Sequence, residues 1–446
     1  MNDTIAAIST ALGEGGIAVI RISGPDAVNV SRRILTRKVF DESGRMYLTN
    51  LIDSDGNIID RVLAVHFMKP KSYTGEDIVE VHTHGGILIA KLCLELALRN
   101  GARLAEPGEF TRRAFINGRI DLSQAEGVLG IIKSRSIEAL HASARTLTGE
   151  LSERVQKIHD DILTLQSGIE IQLDFPEGET FHDDVHSGIH DVISELEELS
   201  SRCSAGMILR DGIRVVIAGS PNAGKSSLMN AILGKKRAIV TEIAGTTRDI
   251  IDENIIINGI PVTLTDTAGL RECASAIPED VIEAEGIRLA VEAMNDSDIC
   301  LYVIDSSKAI TNHELEYVKE LMNQVRRIII VFSKSDLDTV THDIDVQCVK
   351  VRVSSKTGSG IDELKTKIFD SACEGSVLNE GLNVSVRQME EIRGSLDALR
   401  ECESCDDEDI IAGMLNSSRV ALLRVLGIEA EDELLDSMFS RFCVGK

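Results

Sequence analysis

Tryptophan is absent from this chain, and aromatic residues make up only 3% of its 446 residues. Aliphatic packing must therefore build its cores. Basic residues are also in deficit: 47 Lys and Arg stand against 72 Asp and Glu, a net charge of −25. That balance excludes a protein that coats nucleic acid by bulk electrostatics. The deficit is uneven, because residues 1–119 hold 15 basic and 14 acidic residues and the remainder carries −26. Any RNA would have to meet a local basic patch. No apolar run approaches membrane-spanning length, and the opening "MNDTIAAIST" lacks the basic start and apolar core of a signal peptide. Nine scattered cysteines, an odd number, do not form a disulfide framework. A reducing cytoplasm is the expected location.

What remains is long enough for two or three domains and, at 43% apolar and 27% charged, ordinary for a globular protein. Residues 1–119 read as mixed α and β, with strand-like runs at 17–22, 61–67 and 77–83 and a buried helix over "GGILIAKLCLELALRN". From Asp121 the pattern turns to long helices. "SQAE" at Ser123–Glu126 predicts a capping box, and helical spacing then runs to about Gln172. "DFPEGE" (174–179) breaks that run before further helix from about Val185 to Gly206. At Arg214 strands begin to alternate with helices until about Cys373, and helices return from Asn383. The expected fold class is multidomain, α/β plus all-α: an N-terminal α+β domain (1–119), a helical domain in two stretches (120–212 and 376–446), and an inserted P-loop, Ras-like domain (213–375).

The inserted segment carries the sharpest chemistry. "GSPNAGKS" (219–226) matches G-x-x-x-x-G-K-S between a strand and a helix. Its backbone N–H groups and the helix N-terminus suit phosphate oxygens. Lys225 adds a point charge, and the Ser226 hydroxyl suits Mg²⁺. "GTTRD" (245–249) offers Thr247 as a second Mg²⁺ ligand. In "DTAG" (266–269), Asp266 suits Mg²⁺ through water and Gly269 suits the γ-phosphate, with Thr267 and Ala268 between them. "SKSD" (333–336) places Lys334 and Asp336 to read guanine through its N1 and N2 hydrogens, and "SSK" (Ser354, Ser355, Lys356) closes over the base. Ser333 stands where Asn is usual, and its short hydroxyl cannot make the bidentate amide contacts. Leu270 occupies the position where Ras-like enzymes carry a water-orienting Gln, so another group must supply that function; Glu283 and Glu285 of "VIEAEGI" are candidates to act through a water, the alternative for each being a solvated helix face.

Over essentially its full length the chain resembles the MnmE (TrmE) family of tRNA-modification GTPases. The segments that carry the likeness are "GEGGIAVIRISG" (13–24), "YTGEDIVEVHTHGG" (73–86), "PGEFTRRAFINGRIDLSQAE" (107–126), "LDFPEGE" (173–179), the motifs above and the ending "FCVGK". The resemblance implies an N-terminal folate-binding and dimerising domain, a split helical domain and an inserted G domain. It implies K⁺-stimulated GTP hydrolysis and a homodimer that joins the FAD-containing MnmG (GidA) in a heterotetramer. The product would be tRNA modified at C5 of the wobble uridine, with a one-carbon unit from a tetrahydrofolate (5-formyl or 5,10-methylene). It further implies that Asn222, Ala223, Gly224, Lys225, Ser226 and Ser227 line the nucleotide site. Asn222, Thr241, Ile243 and Thr246 would hold K⁺, Glu283 would be the catalytic carboxylate, and Arg271 would act in the same switch. Arg21, Glu80 and Arg119 fall on its folate positions. Cys443 and Lys446 match its Cys-x-Gly-Lys ending, Cys443 as a candidate for chemistry and Lys446 as a candidate to reach the folate. The alternative, a GTP-dependent switch in ribosome or RNA assembly, has no need of the folate segments or the tail.

Three weaker signals are expected to be structural. These are His182, His186 and His190 in an acidic stretch, the lone Cys402-x-x-Cys405, and "HTHGG" (82–86), which reads as a strand end and turn near the folate site.

Overall fold

A computed structural model describes residues 3–38, 40–174, 182–234, 252–266, 294, 296–337, 340, 346–373, 378–405, 407–428 and 432–446. The chain divides into two compact units. One comprises Met1–Leu129, Leu147–Ile193 and Glu390–Lys446, and the other Gly130–Thr146 and Ser194–Met389.

The first unit is built on a six-stranded sheet with the order β3-β4-β5-β2-β1-β6. Its strands are β1 (Ile5–Ile8), β2 (Ile17–Ser23), β3 (Met46–Ile52), β4 (Ile58–Phe67), β5 (Ile78–His84) and β6 (Arg103–Leu104). All neighbours are antiparallel except β1 and β6. Alternation along β2 sends Ile20 and Ile22 to one face, where they pack with Ala6, Val79 and Val81 beneath α1 (Ala27–Ile34) and α2 (Ile87–Arg99). Burying each such side chain stabilises the fold by roughly 1.5–3 kcal/mol. The intervening Arg21 faces the other way, as do Ala7 and Glu80, its register partners across β1 and β5. On that face Ile5, Ala7, Ala105 and Phe110 form a small core with Tyr73 alongside α3 (Glu109–Ile116).

A charged cluster fixes α3 to the sheet. Arg113 is only 1% exposed. It donates to the Asp3 carboxylate at 2.8 Å, to Glu109 at 3.0 Å and to Glu76 at 3.1 Å. Arg103 donates to Asp3 at 2.7 Å and to Glu109 at 2.6 Å. Burial pushes the Glu109 carboxyl up, but hydrogen bonds from Arg103, the Glu106 amide and Arg113 outweigh it and hold the group below its usual range. Glu76 also accepts from Ser23, and the Asn117 amide donates to the Thr74 carbonyl, so the 73–76 loop is held from both sides.

Helix α4 (Leu122–Lys133) does not begin with the expected Ser123–Glu126 box. The reciprocal pair is Asp121 and Gln124: the Gln124 amide donates to the Asp121 side chain at 2.8 Å, and the Asp121 amide to the Gln124 side chain at 3.0 Å. Ser123 is buried and donates to the Val425 carbonyl instead. Helix α6 (Glu150–Asp174) packs along the helix Glu408–Val425. Three of the few aromatic residues gather at the helix Asp432–Phe439. Phe439 lies 6.5 Å from Phe115 and 5.5 Å from Phe442, above Leu122, Ala125 and Val128.

The second unit holds a six-stranded sheet with the order β12-β11-β10-β7-β9-β8. Its strands are β7 (Ile213–Gly219), β8 (Asp252–Ile257), β9 (Ile260–Asp266), β10 (Ile299–Asp305), β11 (Ile328–Ser333) and β12 (Val349–Arg352), all parallel to their neighbours except β8. β10 and β11 are nearly continuous apolar runs, as strands covered on both faces must be. One face packs on α8 (Lys225–Leu233) and the helix Ile361–Ala372, and the other on the helix Asn312–Gln324. Helices α5 (Ile137–Leu147) and α7 (His182–Asp211) also contribute to this unit. There Arg202 donates to the Glu380 carbonyl at 2.9 Å and Arg145 to the Gly381 carbonyl at 2.7 Å. Thr146 donates to the Asn383 carbonyl at 2.9 Å, so the segment after the helix Ile361–Ala372 is fastened to both helices. Among the described residues no helix is long and apolar enough to cross a membrane.

Replacing Arg113 with Ala removes one partner of a buried ionic cluster and is expected to cost about 3–5 kcal/mol of stability, measured by urea unfolding of the full chain. Because the Asp3 and Glu109 carboxyls are held low in the folded state, their contribution is full above the ordinary carboxylate range. It should fade as pH falls through the depressed values, and the variant should show a flatter acid limb than the parent.

Candidate functional site

Strand β7 delivers the chain into a tight loop and then into α8. Asn222 and Gly224 take left-handed conformations, with φ of 62° and 98°, and curl the loop so that its amides converge on one point. Lys225 opens the helix, and its ammonium donates to the Gly219 and Ser220 carbonyls at 2.9 and 3.0 Å, which holds it over the loop. The Ser226 hydroxyl donates to Asp266 at the end of β9 at 2.8 Å. A hydroxyl from the first turn of α8 and a carboxylate from the end of β9 thus converge, and this hard-oxygen pair suits Mg²⁺.

The residues expected from sequence to read a base lie at the ends of β11 and β12. Asp336, Lys334, Leu337, Ser355 and Lys356 surround a cavity of about 620 Å³ that extends to Gly224 and Ser227 of the loop and α8. The Ser354 hydroxyl donates to Asp336 at 2.6 Å and holds that carboxyl below its usual range. It also accepts from the Thr357 amide at 3.2 Å. Lys334, at φ 56°, donates to Asp305 at 2.7 Å and to the Asn222 carbonyl at 3.0 Å. Burial pushes the Asp305 carboxyl up, and the Lys334 and Ser307 donors outweigh it, leaving it below its usual range. Ser333 also borders this cavity, yet it is only 2% exposed and its hydroxyl is directed at the Ala223 carbonyl at 2.6 Å, with the Ile304 carbonyl at 3.1 Å.

Ser354 was expected over the base, and here it orients Asp336. Several contributors carry no sequence motif. Glu314 accepts from Ser220 of the loop at 2.6 Å while its other oxygen serves the capping box with Thr311. Asp305 and Thr357 belong with it. A Thr-x-x-Glu at 311–314 signals a helix start, and only the packing of that helix brings it to the loop. Thr241, Ile243, Thr246, Thr247, Thr267, Ala268, Gly269, Arg271 and Glu283 lie outside the described residues.

The first unit carries a second cluster. Arg21 donates from two nitrogens to one oxygen of Glu80 at 2.8 Å. Its guanidinium lies 5.5 Å from the Tyr73 ring centroid and 5.6 Å from that of Phe110. His82 reaches the other Glu80 oxygen at 3.4 Å. Arg119 packs its stem on Gly75, where an added Cβ would lie 3.2 Å away. Tyr73 and Phe110 carry no role in the sequence reading, although Tyr73 opens the quoted "YTGEDIVEVHTHGG", and His82 enters it only as the start of "HTHGG", read as a strand end and turn.

The tail docks onto the same unit. Val444 bridges Pro107, the Gly108 amide donates to the Cys443 carbonyl at 3.4 Å, and Ser9 donates to the Gly445 carbonyl at 3.1 Å. Gly445, at φ 98°, lies so close that a Cβ would come within 2.4 Å of the Ile8 carbonyl, which only glycine permits. Ile8 pairs with Ile20, the residue before Arg21. The tail therefore lies at the end of β1, one strand over from the Arg21–Glu80 pair. Cys443 is exposed there.

Among the described residues no cluster of three His, Cys, Asp or Glu side chains could hold a metal. His190 faces Glu403 at 3.0 Å. Cys402 is buried, donates to the Ala398 carbonyl, and has its thiol pushed up to about 11 by burial. Cys405 points to the Asp407 carbonyl, so the two thiols have separate partners.

The phosphate loop, the Ser226–Asp266 pair and the Asp336 cavity define a P-loop protein of the GTP-hydrolase class. Two family models cover almost the whole chain: the GTP-binding protein TrmE N-terminus over residues 4–119 and the MnmE helical domain over residues 122–443. The tRNA modification GTPase MnmE of Geobacter sulfurreducens is 40% identical over the full length of both chains, and that of Carboxydothermus hydrogenoformans is 38% identical, also over the full length of both. The chain belongs to the MnmE family of tRNA modification GTPases. Among solved structures, the G domain of the T. maritima FeoB iron transporter aligns with 36% of this chain and 98% of its own at 24% identity, but its TM-score of 0.27 supports no inference.

Asp336→Asn should weaken GTP binding by roughly a hundredfold, since two hydrogen bonds to a charged acceptor are lost. An amide can donate to the 2-oxo group of xanthine, so XTP should become the preferred ligand in titrations of both nucleotides. Unchanged preference would remove Asp336 from the base-reading role.

Proposed function

We propose that this chain is a K⁺-stimulated, Mg²⁺-dependent GTP hydrolase that acts with the FAD-dependent MnmG (GidA) to modify C5 of the wobble uridine in certain tRNAs. One observation carries the reading: in a member of this family, a cavity lined by Asp336 and the end of the phosphate loop stands in one unit, and an Arg21–Glu80 pair one strand from the tail stands on the sheet of the other. The working unit is a cytoplasmic homodimer that joins MnmG in a heterotetramer. Residues 1–119 form the folate-binding and dimerising domain, 120–212 and 376–446 the helical domain, and 213–375 the G domain.

In this reading Lys225 and the loop amides bind the β- and γ-phosphates, and Asp336, oriented by Ser354, holds the base. Ser226 and Thr247 ligate Mg²⁺, with Asp266 beside them. Asn222, Thr241, Ile243 and Thr246 offer neutral oxygens to K⁺. Both cations supply positive charge where the transferring phosphoryl group becomes more negative, in place of an arginine finger. Glu283 orients the attacking water, because Leu270 cannot, and Arg271 steadies the same switch.

At the second cluster, Glu80 suits the donor edge of a pterin ring, and Arg21 and Arg119 suit carbonyl or anionic groups. The ring cage of Tyr73 and Phe110 around Arg21 supports a flat, electron-rich ligand there. A 5-formyl or 5,10-methylene tetrahydrofolate supplies the one-carbon unit when bound. Lys446 stands at the same sheet end, and Cys443 is exposed for chemistry.

Glu283→Gln should reduce GTP turnover at least a hundredfold while leaving nucleotide affinity nearly unchanged, as expected for a group that acts only in the transition state. Full turnover in that variant would transfer the role elsewhere. The tRNA function is tested by nucleoside analysis of a strain lacking this gene. Wobble uridine should lose its C5 modification, the full chain should restore it, and a chain lacking Cys443–Lys446 should restore GTP hydrolysis but not the modification. Normal C5 modification in the deletion strain refutes the assignment.

A further inference from the structure

We propose that this chain recognises guanine without reading its N7 atom, leaving discrimination to the Watson–Crick edge. The inference rests on the GTP-binding reading and concerns what Ser333 does within it. A purine N7 is an acceptor only, so reading it requires a donor. The side chain at the head of the base-reading motif is Ser333, whose hydroxyl has a single hydrogen. That hydrogen is directed at the Ala223 carbonyl, 2.6 Å away, with the Ile304 carbonyl at 3.1 Å as a second acceptor. The side chain is 2% exposed, at the end of a fully buried strand. Ser333 borders the cavity, but its one hydrogen ties β11 to the phosphate loop and to β10 instead of being offered to a base.

Two of the three N–H donors of the neighbouring Lys334 are committed as well. The Lys334 ammonium donates to Asp305 at 2.7 Å and to the Asn222 carbonyl at 3.0 Å, so it forms a second tether from the same motif to the same loop. Two successive residues of β11 and its turn thus hold the carbonyls of two successive loop residues, Asn222 and Ala223. The motif's remaining polar side chain at the base is Asp336, an acceptor, and Ser354 orients it toward the guanine N1 and N2 hydrogens. Recognition is divided: Asp336 reads the base, while Ser333 and Lys334 hold the phosphate loop at the distance the base requires.

The test compares GTP with 7-deaza-GTP, in which a C–H replaces N7, by calorimetric titration of the unmodified full-length chain. Affinities within about threefold of each other are expected, because no hydrogen bond to N7 is lost. A loss on the order of tenfold, typical of one missing hydrogen bond, overturns the proposal while leaving GTP binding intact. Failure to bind either nucleotide overturns the GTP-binding reading and this one with it. In a second arm, Ser333→Ala should weaken both nucleotides by the same factor, on the order of tenfold, because it loosens the loop rather than a base contact. A selective loss of GTP affinity would show that Ser333 reaches N7 and would refute the division of roles.

Discussion

The Arg113 guanidinium is the pivot of the first unit. It lies almost wholly out of solvent among the carboxylates of Asp3, Glu76 and Glu109, which belong to the start of the chain, the 73–76 loop and α3. An unpaired charge at that depth is prohibitive, so each carboxylate has to stay where it is. Once they stay, Tyr73 and Phe110 are placed around Arg21, Gly75 is placed against Arg119, and Gly108 is placed to receive the tail. The Arg21–Glu80 pair would otherwise be an ordinary cross-strand ion pair of little energetic weight. The cluster behind it fixes the Tyr73 and Phe110 rings against it.

The second unit solves a related problem by other means. Its site residues sit at the carboxyl ends of parallel strands, where loops from β7, β9, β11 and β12 converge because the strands share one direction. Convergence alone does not set the spacing between the phosphate loop and the base-reading loop. That spacing comes from short polar links: Ser333 to the Ala223 carbonyl, Lys334 to the Asn222 carbonyl, and the Ser220 hydroxyl to the Glu314 carboxylate. The Ser333 link is buried, the Ser220 link half-buried and the Lys334 link exposed, and together they preorganise the loop before nucleotide arrives.

The two units also treat their scarce aromatic residues differently. In the first, Phe115, Phe439 and Phe442 gather where the last helix meets α3, directly before the tail. Large rings there supply enough buried area to seat a short terminal segment that has few hydrogen bonds of its own. The aliphatic sheet of the second unit needs no such anchor.

Motifs whose chemistry depends on local spacing were legible in the residues. The phosphate loop, the Ser226 and Asp266 oxygens, Asp336, and the alternation of strands and helices from Arg214 are of this kind, because a few bonded neighbours dictate them. Local signals misled where two solutions lay within a turn of each other. "SQAE" and "DLSQ" overlap, and Asp121 and Gln124 form the box because Ser123 is buried against Val425. Long-range contact decided everything else. That the serine in place of asparagine is a tether, that a capping glutamate reaches the phosphate loop, and that Gly445 lies against Ile8 all depend on residues more than ninety positions apart in the chain. Short-range periodicity carries no information about such distances. Only the packing of helices on sheets brings those groups within reach.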